Sequence, residues 1–182
     1  MIHKATVEDM NKFLAQILFD GIWRVVHKDR FGNIIEEEVF KNLITNEGLD
    51  YILNSACHGD TQISSWYFAP FTAAHTPAAT DTYASPGYTE ATSEYSESNR
   101  QEWAEGASSS QSITNSSAAT ITAATSVTIY GAGIVGGGTA ASTKGNTDGG
   151  GTLLASGQFS SSKSLANGET LDMTYTLSAS SS

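Results

Sequence analysis

Residues 126–138, SVTIYGAGIVGGG, constrain the fold more than any other stretch. Gly131, Gly133 and Gly136 spell G-x-G-x-x-G directly behind the β-branched run 127–129, which is the form of a dinucleotide-binding turn. That fingerprint works only when its last glycine opens a helix whose N-terminus receives a pyrophosphate. Here the chain continues through Gly137, Gly138, Gly145, Gly149, Gly150 and Gly151. A helix interior loses about 1 kcal/mol for each glycine that replaces alanine. Too little chain follows to build the further strand–helix units of a Rossmann half. The residues therefore predict a strand over 127–129 running into a glycine-rich loop, and no nucleotide cofactor.

A chain of 182 residues suits one domain, or one domain with an arm. Nineteen Asp and Glu against nine Lys and Arg give a formal charge of -10, which disfavours nucleic acid and anionic membrane as partners. No apolar run is long enough to span a bilayer. The first ten residues lack the apolar stretch and small-residue cleavage site of a secretory signal, so synthesis in the cytoplasm is expected. Cys57 is the single cysteine, and packing rather than an intrachain disulfide must hold the fold. From Ala104 onward the only charged residues are Glu105, Lys144, Asp148, Lys163, Glu169 and Asp172. The rest of that half is rich in Ser, Thr, Gly and Ala.

Apolar residues at Val7, Met10, Phe13, Leu14, Ile17 and Leu18 recur at helical spacing behind Thr6, a possible N-cap. This segment is read as an N-terminal helical or extended arm over residues 1–20, ahead of a β-sandwich domain over 21–182. Residues 21–28 and 34–40 read as paired strands with turn chemistry between them. The run Glu36-Glu37-Glu38 then marks a solvated edge that blocks stray strand pairing. Leu49, Ile52, Leu53 and Ala56 share one helical face over residues 46–57, with Thr45 or Asn46 as cap and Glu47 suited to the first turn. Strands are expected over 62–71, within 88–103, and over 117–130, 152–159 and 169–177, with a long loop over 73–88. In the last strand Leu171, Met173, Tyr175 and Leu177 alternate with Thr170, Asp172, Thr174 and Thr176. The fold class is mainly β, an antiparallel sandwich or jelly roll with one short helix.

Candidates for chemistry are few. None of His3, His27, His58 and His75 repeats at a metal-binding interval. Cys57-His58-Gly59-Asp60 groups three possible ligands too closely in sequence to wrap one zinc. A buried thiol at a helix end beside a surface histidine is the plainer account. Asn146-Thr147-Asp148 has the polar spacing of a calcium loop without its repeated acidic ligands, and reads as a hairpin. Glu90, Glu94, Glu97 and Glu102 could offer the two opposed carboxylates of a glycan hydrolase. Trp23, Trp66 and Trp103 could form a sugar platform, although core or interface roles are commoner in a sandwich. No catalytic, cofactor or metal residues are assigned.

Several pieces in order resemble a family of small structural proteins of tailed bacteriophages. They are NLITNEG over 42–48, Trp66-Tyr67, PAATDTYA over 77–84, then Glu90, Tyr95 and Arg100, then Gly131-Ala132-Gly133, and NGETLDMTYTLS over 167–178. Order and spacing carry the resemblance, which runs from about Trp23 to the C-terminus. The family pattern places a small aliphatic residue and Gly after Trp-Tyr, where this chain has Phe68-Ala69-Pro70. The resemblance implies a non-enzymatic virion protein. A capsid decoration (cement) subunit is expected, a homo-oligomer with a trimer favoured. It would contact the major capsid protein or other virion proteins, with the N-terminal segment bridging subunits. A neck or tail-fibre component is the alternative.

Overall fold

Strict alternation in the C-terminal strand sets the architecture, because a strand with one apolar face needs a second layer to cover it. The computed structural model describes residues 17–181. In it, two antiparallel five-stranded sheets pack face to face. In the first sheet β2 (Ile34–Lys41), β1 (Ile17–Lys28) and β10 (Thr170–Ser181) lie side by side. The far edge of β10 is shared by β6 (Ser112–Thr114) and β7 (Ala119–Thr122). The second sheet has the order β3 (Leu43–Ile44), β9 (Gly151–Leu165), β8 (Val127–Gly137), β4 (Trp66–Phe71) and β5 (Gln101–Glu102). The expected mainly-β sandwich with one short helix is therefore what the chain forms.

Aromatic rings fill the space between the sheets. Trp23 lies 5.5 Å from Phe68 in an edge contact and 5.1 Å from Tyr175, and stacks on Phe40 at 6.0 Å. Trp103 packs against Tyr175 at 5.3 Å, and its indole N–H donates to the Tyr175 carbonyl. All three tryptophans are buried, as a core role requires. Leu171, Met173 and Tyr175 point inward, as the alternation predicts. Between β6 and β7 the edge of β10 loses its strand partner, and Asn115 fills the gap. Its amide donates to the Met173 and Ser117 carbonyls and accepts from the Tyr175 N–H.

Several expectations change. Residues 1–16, with most of the expected arm, lie outside the described residues. Ile17, Leu18 and Phe19 belong to β1, paired with Ser181, Ser180 and Ala179, so the helical pattern does not extend over them. The strand at 127–129 does not end in a loop. It runs to Gly137, so Gly131, Gly133 and Gly136 lie in the middle of the second sheet. A Cβ on Gly131 would sit 2.2 Å from the Gly157 carbonyl oxygen and 2.3 Å from the Phe71 ring. One on Gly133 would meet the Tyr88 hydroxyl at 2.4 Å, and one on Gly136 the Trp66 ring at 2.5 Å. These glycines let aromatic rings close against the strand backbone.

The helix α1 (Asn46–Leu53) continues into a widened π-helical turn over Asn54–His58. Of the predicted packing face Ile52 does pack against the core, but the face is shifted towards Gly48 and Tyr51. Gly48 presses on the Leu154 backbone and Tyr51 lies edge-on to Trp66, while Leu53 is exposed. Cys57 is likewise exposed rather than buried. Between residues 72 and 100 the chain forms no strand, only single bridges such as Phe71–Glu90 and Tyr95–Ala123.

Candidate functional site

The segment 42–48 works as a clasp. Thr45 caps α1 by accepting from the Gly48 N–H, and its hydroxyl donates to the Leu153 carbonyl. The Glu47 carboxylate accepts from the backbone N–H groups of Leu153 at 2.6 Å and Tyr83 at 2.8 Å. One side chain thereby ties the helix start, β9 and the loop after β4 together. The Asn42 amide donates to the Tyr175 hydroxyl on β10.

That loop covers the outer face of the second sheet, where Ala69, Tyr83, Val135 and Leu153 form a second buried cluster. Asp81 holds its first turn, accepting from the Ala78 N–H and lying 2.8 Å from His75 Nε2. Beyond it a cleft of about 390 Å³ opens between Tyr83, Tyr88, Glu90, Arg100, Val135 and Asn146. Arg100, only 4% exposed, forms its floor. Its guanidinium makes a two-pronged pair with Glu90 at 2.8 and 2.6 Å, and donates to the Ala141 and Asn146 carbonyls at 2.8 and 2.9 Å. Burial alone would lower the Arg100 pKa, but the Glu90 carboxylate outweighs it and holds the guanidinium more firmly charged. The Tyr83 hydroxyl donates to the Asn146 side chain. Burial drives the Tyr88 and Tyr95 hydroxyls well above their ordinary pKa, so both stay neutral. With its donors engaged, Arg100 acts as a bolt joining the 83–100 and 138–150 loops.

Of the other acidic candidates, two are held by backbone N–H groups. Glu94 accepts from the Thr92 and Ser93 N–H groups, and Glu97 from that of Thr122. Glu102 sits on β5, paired with Tyr67. Among the described residues no group of three or more His, Cys, Asp or Glu is arranged to hold a metal ion.

The acidic run on β2 departs from its predicted role. Successive strand residues face opposite sides. Glu37 turns outward to Arg24, while Glu36 and Glu38 turn inward. There they hold Lys163 of β9 at 3.0 and 2.7 Å, with its side chain 2% exposed. Glu38 also accepts from the Ser160 N–H. Nearby, buried His27 lies 2.9 Å from Glu169 and 3.6 Å from Glu36. Burial would lower the Lys163 pKa and raise that of Glu38, but the bonds between them outweigh it in both cases. The Ala166 N–H and His27 together hold the Glu169 carboxyl below its ordinary range. This ionic clamp fastens the edge of the first sheet to the second.

The outer surface of the β1–β2 hairpin mixes the apolar Ile22, Ile35 and Val39 with the charged Arg24, Glu37 and Lys41. Ile22, Ile34 and Ile35 are exposed, as are Val39 at 62% and Phe31 at the turn at 82%. No protein-family model matches this chain, and no curated protein matches it either. Residues from separate segments meet in space: Glu47 bonds Tyr83, Tyr83 bonds Asn146, and Arg100 bonds Glu90. Lys163 gave no sequence signal, because it sits in a serine-rich strand and its partners lie more than a hundred residues away.

Proposed function

We propose that this protein is a structural subunit of a tailed-bacteriophage virion, and that it decorates the capsid by bridging capsid subunits. The observation that carries the reading is the exposed apolar side chains of the β1–β2 hairpin, Ile22 on β1 and Ile35 and Val39 on the edge strand β2. Apolar residues gathered in this way mark a surface that something else covers. The polar groups most capable of chemistry, Arg100, Glu90, Lys163 and Glu38, are instead spent on holding loops and sheets together. An excess of acidic residues suits a more basic shell surface. Repeated weak contacts over a lattice would add up to lasting attachment.

The test is occupancy on purified heads. Val39→Glu and a chain lacking residues 1–16 should fold yet leave heads undecorated. The truncation must stop at residue 16, because β1 begins at Ile17. Normal occupancy by both variants would reject the bridging role. Copies in fixed ratio to the major capsid protein are expected of decoration. Copies matching a single symmetry axis of the particle would mean a neck or tail-fibre component.

A further inference from the structure

β2 ends the order of the first sheet, and among the described residues no strand pairs with its outer edge. The backbone N–H and C=O groups along such an edge are a template for another strand. Proteins guard an edge with solvated charge, a proline, a bulge or a very short strand. β2 has eight residues and no proline. Its bulge lies at the turn end, where the register shifts between His27 and Lys28, and Glu36–Lys41 forms a regular ladder with β1. Charge does not guard the edge either. Glu36 and Glu38 turn inward to Lys163, and Glu37 is paired with Arg24.

We propose that this edge pairs with the same edge of a second copy of the chain, antiparallel about a two-fold axis at Val39. The inference does not depend on the virion reading, because it needs only the strand and its charges. Facing residues of an antiparallel pair lie on the same side of the sheet, so a two-fold self-pairing centres on one residue. Only two centres pair five ladder residues of each copy, Glu38 through residues 36–40 and Val39 through residues 37–41. Centred on Glu38, the pairing sets that carboxylate against its own copy and lays Glu37 on Val39. Centred on Val39, it sets Val39 against Val39 and each Glu37 against Lys41 of the second copy. Unlike charges and apolar pairs stabilise facing strands, and like charges directly opposite destabilise them. The present partners of these residues do not stand in the way. Glu37–Arg24 and Lys41–Asp20 are exposed surface pairs, which contribute little and can exchange. Such an interface is isologous and closes at two copies. It gives a dimer, not the trimer that the resemblance implies, and it joins the two outer faces that carry Ile35 and Val39.

Sedimentation of the full chain tests both the pairing and its register. The parent should sediment as a dimer that dissociates on dilution. Glu37→Lys and Lys41→Glu each set like charges opposite, and each alone should sediment as a monomer. Mixed in equal amounts, the two variants should dimerise again, because each then meets the opposite charge in the other. A substitution that merely disturbed the fold would not be rescued by mixing. Cross-linking reads the register directly, once the exposed Cys57 is replaced by serine. Val39→Cys should then form a disulfide with its own copy on mild oxidation, since facing Cα atoms of an antiparallel pair lie about 4.5–5.5 Å apart, within disulfide reach. Ile35→Cys, away from the axis, should not. A monomeric parent, single variants that dimerise like the parent, or a mixture that stays monomeric overturns the proposal. A trimer that survives both single substitutions overturns it by placing self-assembly elsewhere. Exchange protection of the β2 amides that appears only when heads are added overturns it equally, by giving the edge to a virion protein. Head occupancy by the parent chain is scored separately, and absence of the protein from virions would not change what the mixed variants show.

Discussion

Replacing Arg100 with methionine keeps a long apolar stem and removes the guanidinium. The change strips Glu90 of both short bonds and leaves the Ala141 and Asn146 carbonyls without their side-chain donor. The Glu90 side chain is 7% exposed, so its carboxylate is left buried with only the Gly145 N–H beside it. Breaking one side of such a pair costs about 3–5 kcal/mol, most of it the burden of the uncompensated charge. In a domain of this size that corresponds to a fall in melting temperature of about 10 °C. The double variant Glu90→Leu/Arg100→Met removes the orphaned charge as well, and should recover at least half of the loss. Urea unfolding of the four members of the cycle measures the coupling. Amide exchange should show protection falling first over residues 139–147, the loop that Arg100 holds down, while β10 keeps its order of protection. A single-variant loss below about 1 kcal/mol, or a double variant less stable than the single, would refute the bolt.

Three further substitutions probe the other fastenings. Gly48→Ala should stabilise an ordinary helix interior by about 1 kcal/mol. Here the new Cβ would lie 2.2 Å from the Leu154 carbonyl oxygen, so a loss of about 1–3 kcal/mol is expected in chemical denaturation. Thr45→Ala removes the cap on α1 and the donor to Leu153. It should cost about 1–2 kcal/mol, with exchange protection lost at the Gly48 amide. The ionic clamp makes stability depend on pH at both ends. Glu38 and Glu169 titrate below their ordinary values, so their contribution is complete above the ordinary carboxylate range and is lost as pH falls through the folded values. Lys163 titrates above its ordinary value, so its contribution is complete below that value and is lost as pH rises through the folded one. In thermal melts the gap between the parent and Glu38→Gln should shrink steadily from about pH 5 to pH 2. A constant gap would show that the carboxylate does not carry the contact.

What the sequence made legible is what neighbouring residues decide. The alternation of β10, the capped start of α1 and the placing of the tryptophans in the core all follow from local pattern and hydrophobicity. What it hid is decided by residues far along the chain. Gly131, Gly133 and Gly136 look like loop residues until Phe71, Tyr88 and Trp66 are seen resting on them. The run Glu36–Glu38 looks like a solvated edge because nothing local reveals a buried lysine on β9. Residues 112–114 carry no strand signal of their own. They pair because β10 is long enough to hold two short partners end to end, with Asn115 at the joint. In the candidate site the individual pieces were visible, but the bonds linking Glu47, Tyr83, Asn146, Arg100 and Glu90 were not.

The two sheets treat their outer faces differently, and the difference bears on where the proposed partner would sit. Over the second sheet the chain supplies its own cover, with Tyr83 and Tyr88 laid on the sheet and Arg100 bolting the loops shut. Over the β1–β2 half of the first sheet none of the described residues gives such cover, and Ile22, Ile35 and Val39 are exposed there. Yet the edge strand there is held in place by an internal clamp, through Glu36 and Glu38 to Lys163. If a capsid protein covers this face, as proposed above, a strand clamped from within by Lys163 would lose little entropy on binding.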